Sequence, residues 1–442
     1  MCLSCKNGLV IEYWTSHNPS DILEAMTAGT PSALPLADVI VVALEQAVAA
    51  PLGTRHLADL GARVIKIERL GEGDFARNYD DAVHGLASHF VWLNRGKESI
   101  ALDLKSEEGR AAARALIAKA DVFVQNSAPG AAARLGLDAD ILRAADPRLV
   151  MVNISGYGTE GPRRDRKAYD MLIQAESGLI SVTGTPDTAT KTGVPSADIA
   201  AGLYATNSVL AALFRRERTG KGATIDVSMF DATAEWLGHP MYVQMYAGRQ
   251  IPRMGLSHAS IAPYNAFPTR DGQILIGVQN DRGWQRLMGE VLKRPDLVHD
   301  PSFRTNVLRV ANRAACDQVV ADETRAWATA ELDDRLAAAG VPAAQLNDMR
   351  GLIDHPQLSV RDRWREVDTP AGPVRAILPP MTFQDVELAM GAVPDLGEHT
   401  DGVLGELGYS PGDIDRLCLD GVAGRPDQAA SGRPSEPVDP AP

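Results

Sequence analysis

Val39-Ile40-Val41-Val42 is a short unbroken apolar run, Ala47 to Leu60 repeats its apolar residues at helical spacing, and Val64-Ile65-Lys66-Ile67-Glu68 returns to a strand. An apolar run of that length reads as a strand covered on both faces, and strand, helix and strand in succession make a βαβ unit with parallel strands. The alternation continues with a helix through Glu107 to Ala120, a strand at Val122-Phe123-Val124, a helix through Asp138 to Ala145 and a strand at Leu149-Val150-Met151-Val152. The fold class expected is α/β, a parallel sheet with helices on both faces.

Further along, a long apolar helical pattern from about Ile199 to Arg216 precedes the turn Thr219-Gly220-Lys221-Gly222 and the alternating strand Ala223 to Val227. A second unit opens near Ile261. There Arg270-Asp271-Gly272 signals a hairpin ahead of Ile274-Leu275-Ile276-Gly277, and helices follow until Gly340-Val341-Pro342 stops them. The division expected is an extension over 1–36, a large domain over 37–235, a linker and smaller α+β domain over 236–350, a return to the large domain over 351–421, and a disordered tail over 422–442. That tail is rich in Pro, Ser and Gly and poor in apolar surface.

Composition narrows the function. With 44 Lys and Arg against 57 Asp and Glu, the net charge is −13, which argues against a broad surface for nucleic acid or an anionic membrane. Any anionic ligand then needs a local basic pocket. Four cysteines, Cys2, Cys5, Cys316 and Cys418, are too scattered for a disulfide framework, so a cytoplasmic setting is expected. Cys2 and Cys5 have C-x-x-C spacing, but no second pair or nearby histidine completes a zinc site. The most apolar stretch, Val39 to Leu57, is interrupted by Glu45 and His56, unlike a membrane span. The first residues lack a signal-peptide pattern.

Common site motifs are missing. Leu60-Gly61-Ala62 and Gly71-Glu72-Gly73 do not make a dinucleotide fingerprint, and there is no Walker sequence, no G-x-S-x-G elbow and no clustered His/Asp/Glu metal set. Attention falls instead on Asp198, in Gly193-Val194-Pro195-Ser196-Ala197-Asp198-Ile199-Ala200-Ala201-Gly202, where a turn runs into the long helix. A carboxylate there reads either as a helix N-cap or as a nucleophile beside free backbone N–H groups.

Several ordered segments accompany it. They are Ala58 to Arg69, Gly73-Asp74-Phe75-Ala76-Arg77, Asn94 to Lys105, Ala120 to Asn126, Pro129-Gly130, Leu135-Gly136-Leu137, Ile154-Ser155-Gly156-Tyr157-Gly158, Gly220-Lys221-Gly222 and Leu396-Gly397-Glu398-His399-Thr400. In this order, from about Ala37 to Gly421, the chain resembles the family III CoA-transferases, a family that spans formyl-CoA and carnitine CoA-transferases and α-methylacyl-CoA racemases. The resemblance implies a large Rossmann-like domain built from both chain ends, a small domain, and two chains interlocked in a homodimer. It places the catalytic aspartate at Asp198. It implies CoA contacts from Val48, Arg69, the segment Leu102, Asp103, Leu104 and Lys105, and from Asn126, Arg134 and Lys167. Arg69, Lys105, Arg134 and Lys167 would supply the basic pocket that CoA phosphates need.

The chemistry implied needs no permanently bound cofactor and no metal, with coenzyme A entering as acyl-CoA substrate and leaving as product. Asp198, ionised at neutral pH, attacks the donor thioester and comes to hold CoA as an aspartyl thioester, which an acceptor carboxylate then takes up. Racemase members carry Gly-His-Asp where this chain has Ala168-Tyr169-Asp170, and a phenol is a poor base in place of imidazole. Asp170 then orients substrate or is a solvated loop acid. The segment Arg253 to Tyr264 replaces the glycine-rich loop of formyl-CoA transferase, which argues against formate and oxalate. It looks more like members acting on mesaconate, itaconate, citramalate and succinate. Arg253 and His258 are the candidates for an acceptor's second carboxylate, His258 alternatively being a loop histidine that caps a turn. A racemase and a non-catalytic CoA-binding protein are the alternatives.

Overall fold

The computed structural model describes residues 34–426; Cys2, Cys5 and the bulk of the extension and tail lie outside the described residues. Six parallel strands, β1 (Ile40–Leu44), β2 (Arg63–Glu68), β3 (Lys97–Leu102), β4 (Val122–Gln125), β5 (Val150–Ser155) and β6 (Thr224–Ser228), lie in the order β3-β2-β1-β4-β5-β6. Alternate residues of each strand enter opposite cores. Val41, Val64, Val124 and Val152 pack under the helices Ala49–Asp59 and Ser196–Thr219. Val42, Ile65, Phe123 and Met151 pack under Glu107–Ile117, Thr400–Glu406 and Pro411–Leu419.

One strand is invisible to hydropathy. Lys97 and Ser99 of β3 are buried, and they are satisfied there because Lys97 Nζ donates to Glu45 at 2.6 Å and Ser99 Oγ to Glu68 at 2.6 Å. With that face made of compensated polar groups, only Ile100 and Leu102 on the other face carry an apolar signal, too short to read as a strand.

The second unit is a three-stranded antiparallel sheet of β7 (Tyr264–Pro268), β8 (Gln273–Gly277) and β9 (Ala343–Gln345). The turn between β7 and β8 closes from Thr269 N to Gly272 O at 2.9 Å, as the Asp-Gly pair requires of a hairpin. Phe267, Trp284, Leu332 and Leu336 fill its core, and Gly340, at φ +62, ends the Thr329–Ala338 helix. A hairpin of β10 (Trp364–Val367) and β11 (Val374–Ile377) follows.

The chain end corrects the tail expected over 422–442. Val422 and Ala423 are buried, and Ala423–Gly424 form β12, antiparallel to β3. Thr400 Oγ1 donates to Gly424 O at 2.7 Å and locks it there. The main sheet is therefore mixed rather than wholly parallel, because a two-residue strand held by its neighbours needs no apolar run of its own. At the other end Leu36, assigned to the extension, already packs in the core, its N–H bonded to Leu60 O.

Candidate active site

From β1 the chain moves to β2 and β3 on one side, then returns to lay β4, β5 and β6 on the other. Loops leaving β1 and β4 diverge at this switch point, and open α/β sheets bind ligands in the crevice so formed. The loop after β1 is tightly held. Asn126, just past β4, accepts the Gln46 N–H at 2.9 Å and donates to Gln46 O at 2.8 Å. Asp74 accepts the Ala47 N–H at 3.0 Å, and Ala47 itself sits in the left-handed region at φ +63.

Two helices bring Asp198 to the same rim. A Cβ on Gly202 would stand 2.6 Å from Ala49 O, one on Gly53 3.0 Å from Gly202 O, and Thr206 Oγ1 donates to Gly53 O at 3.2 Å. Ala49 lies beside Gly202 and Gly53 beside Thr206, so the helices run parallel and their N-termini face one way. Asp198, about one turn ahead of Gly202, thus extends past Val48, and its neighbour Ile199 packs with Val48, Leu52 and Leu93.

Asp198 is not the N-cap. Pro195 holds that position and offers no side-chain cap, and Asp198 lies in the first turn. Capping comes from Asp170, whose Oδ1 accepts the Ala197 N–H at 2.8 Å and the Asp198 N–H at 3.4 Å. Asp170 Oδ2 in turn accepts from Gln174 Nε2 at 2.6 Å, and Gln174 Oε1 holds Thr192 N–H. No hydrogen bond or ion pair engages the Asp198 side chain among the described residues. Burial, aided by the Asp170 charge, pushes Asp198 up to about 7, so it is roughly half protonated at neutrality rather than fully ionised.

The remaining candidates fall into four sets. Val48, Arg69, Asn126, Leu102, Asp103, Leu104 and Lys105 follow the carboxyl ends of β1 to β4 and share the rim. Val48 and Leu102 are buried, whereas Lys105 is exposed, its N–H bonded to Asp103. Arg69 reaches Gln46 Oε1 at 3.3 Å. Arg134 is exposed, its guanidinium folded over Gly130. A Cβ on Gly156 would stand 2.2 Å from that of Ala168, which seats Lys167, Tyr169 and Asp170 near the end of β5; Lys167 and Tyr169 are exposed.

Arg253 and His258 belong to the segment between the Gly238–Ala247 helix and β7. Arg253 Nε and Nη2 donate to Thr185 O and Pro186 O at 3.0 and 2.9 Å. With Ser181, Gln250 and Ser257 it lines an open cleft of about 610 Å³. His258 caps a turn, Nδ1 accepting from Ser260 N–H at 3.2 Å, and stacks on Tyr264.

Tyr79 escaped sequence reading. It is half exposed, and burial together with the charges of Asp74 and Asp198 and the Tyr169 phenol pushes it up to about 12. It therefore stays a hydroxyl donor within electrostatic reach of Asp198. Only its place five residues past Asp74, two beyond the Gly73 to Arg77 segment, hinted at this.

Residues 36–400 match CoA-transferase family III, to which the chain belongs. A mouse succinyl-CoA:glutarate CoA-transferase is 32% identical over 92% of this chain and 93% of its own length. An Acetobacter aceti acetyl-CoA:oxalate CoA-transferase is 38% identical over 76% of this chain and 87% of its own. The crystal structure of a CAIB/BAIF family protein from Brucella suis superposes with a TM-score of 0.76 at 36% identity, covering 85% of this chain and all of that one (100%).

Proposed function

We propose that this protein transfers CoA from an acyl-CoA thioester to a small carboxylic acid through an aspartyl-CoA thioester on Asp198. The observation that carries the reading is the unpaired Asp198 carboxylate, pushed up to about 7, on the rim where Gln46–Val48 and Asn126 converge. A carboxylate of raised pKa is a stronger nucleophile once ionised. Its oxygen bonds to the donor carbonyl carbon, the C–S bond breaks, and a mixed anhydride and CoA thiolate result. The thiolate attacks the aspartyl carbonyl and releases the donor acid. The acceptor carboxylate then attacks the aspartyl thioester, CoA thiolate leaves again, and its attack on the second anhydride frees Asp198 and the new acyl-CoA.

For substrates, we propose C4 and C5 dicarboxylates with succinyl-CoA as donor. The mouse relative's name, with succinyl-CoA and glutarate, supports this. The Acetobacter relative is named for oxalate, so oxalate joins the acceptors to be tried despite the Arg253 to Tyr264 segment. Arg253 carries no hydrogen bond on Nη1 among the described residues and is the proposed partner of the distal carboxylate. A homodimer is part of the proposal: the Gly238–Ala247 helix buries none of its residues, leaving Tyr242, Met245 and Tyr246 exposed as partner surfaces do.

The experiment is to incubate the protein with succinyl-CoA and a panel of carboxylates, reading CoA exchange by mass and trapping Asp198 with hydroxylamine. The racemase reading makes the opposite demand, α-proton exchange of an α-methylacyl-CoA with solvent deuterium and no transfer to any acid; Tyr169 in place of histidine speaks against it.

A further inference from the structure

Beneath the rim lies an array of three acids and three bases. Glu45 accepts from Lys97 Nζ at 2.6 Å, from Lys66 Nζ at 3.3 Å and from Thr54 Oγ1 at 2.6 Å. Lys66 Nζ also donates to Asp74 Oδ2 at 2.8 Å and to Glu45 O at 3.3 Å. Glu68 takes a bidentate Arg77, the Ser99 hydroxyl and the Asp74 N–H. Glu45, Lys66, Glu68, Asp74 and Lys97 are all buried.

Stability does not account for such an array, since apolar residues of like volume often stabilise as well or better. Its outlets are more telling. Glu45 O goes to Lys66, Gln46 N–H and O go to Asn126, and Ala47 N–H goes to Asp74. Four backbone groups of three successive residues are thus held by side chains, and the third residue is kept at φ +63, which a non-glycine residue disfavours.

We propose that the buried array is a positioning device for the Gln46–Val48 loop, acting through Lys66 and Asp74 on the Ala47 amide. Lys66 fixes the Asp74 carboxylate by one oxygen so that the other meets Ala47 N–H, which starts the Ala49–Asp59 helix and sets Val48 against Ile199 beside Asp198. The consequence for CoA rests on the functional reading above; the claim about the loop does not.

Two double variants separate this role from plain stability. K66M/D74N removes the charge pair but keeps an acceptor for Ala47, whereas K66M/D74A removes both. Amide exchange and CoA binding are measured on each and on the wild-type protein. In wild type the Ala47 amide should exchange as slowly as those of β1. In K66M/D74A, exchange at Ala47 and the CoA dissociation constant should each rise at least about 10-fold, the loss of one charge-assisted hydrogen bond, with protection of β4 and β5 unchanged. K66M/D74N, which keeps an acceptor for Ala47 but leaves it unfixed by Lys66, should fall between wild type and K66M/D74A on both. Equal protection and affinity in the two variants overturns the proposal. Fast exchange at Ala47 in wild type overturns it too, and decides the matter should both variants fail to fold. CoA transfer is assayed separately: a protected Ala47 and tight CoA with no transfer supports the positioning role and refutes the functional reading alone.

Discussion

Asp170 and Asp198 share one helix end: the Asp170 carboxylate accepts the Ala197 N–H at 2.8 Å and the Asp198 N–H at 3.4 Å. Asp170 thus takes the capping role that Pro195 leaves empty, and frees the Asp198 side chain from capping its own helix. The same arrangement sets a like charge beside Asp198, which adds to burial in holding its proton.

If ionised Asp198 attacks the thioester, the rate of aspartyl-CoA formation should rise about tenfold per pH unit below 7 and level off above it. In Asp170→Asn, which keeps an acceptor for Ala197, the midpoint should fall below 7. It should not reach 3.8, because burial is the larger cause. A midpoint unmoved in single-turnover measurements would count against the coupling.

Stability should move the other way. The folded protein binds the Asp198 proton more tightly than the unfolded chain does, so this stabilisation is complete below about 3.8 and is lost as pH rises through about 7. Asp198→Asn, which never acquires the charge, should therefore melt above wild type at pH 8, with the gap closing as pH falls toward 4. Calorimetric melts across that window test the sign.

Asp198→Ala should lower transfer by at least about 10³-fold and shift CoA affinity by less than about threefold, the pattern for loss of a nucleophile that does not bind the ground state. Persistence of hydroxylamine-sensitive labelling in that variant would sink the aspartyl-thioester mechanism.

Arg253→Ala should raise KM for a dicarboxylate by roughly 10- to 150-fold, the worth of one charge-assisted hydrogen bond. A monocarboxylate of similar size should be affected much less. Equal effects on both would assign Arg253 solely to holding Thr185 and Pro186.

Charges introduced as Met245→Asp and Tyr246→Asp should dissociate a homodimer that uses the exposed Gly238–Ala247 helix. Sedimentation at nanomolar concentration reads the change, and a wild-type protein already monomeric there removes the premise.

The sequence by itself determined the parallel β1, β2, β4 and β5, because each is a largely apolar run buried on both faces, and β6, whose residues alternate. It also determined the long helix that carries Asp198 and the turns at Gly220 and Gly340, since local spacing and glycine suffice for those. Tertiary structure alone decided β3 and β12. Lys97 and Ser99 become inward residues only when Glu45 and Glu68 arrive from other strands, and Gly424 becomes a strand only when Thr400 and β3 meet it. Likewise Asp198 reads as a cap in isolation, and only the approach of Asp170, 28 residues earlier, takes that role away. Tyr79, drawn toward Asp198, follows the same rule, whereas the turn cap of His258 is a local bond to Ser260. Hydropathy and backbone preference are local and can be read along the chain, whereas compensated charge and shifted proton affinity belong to pairs that only folding assembles.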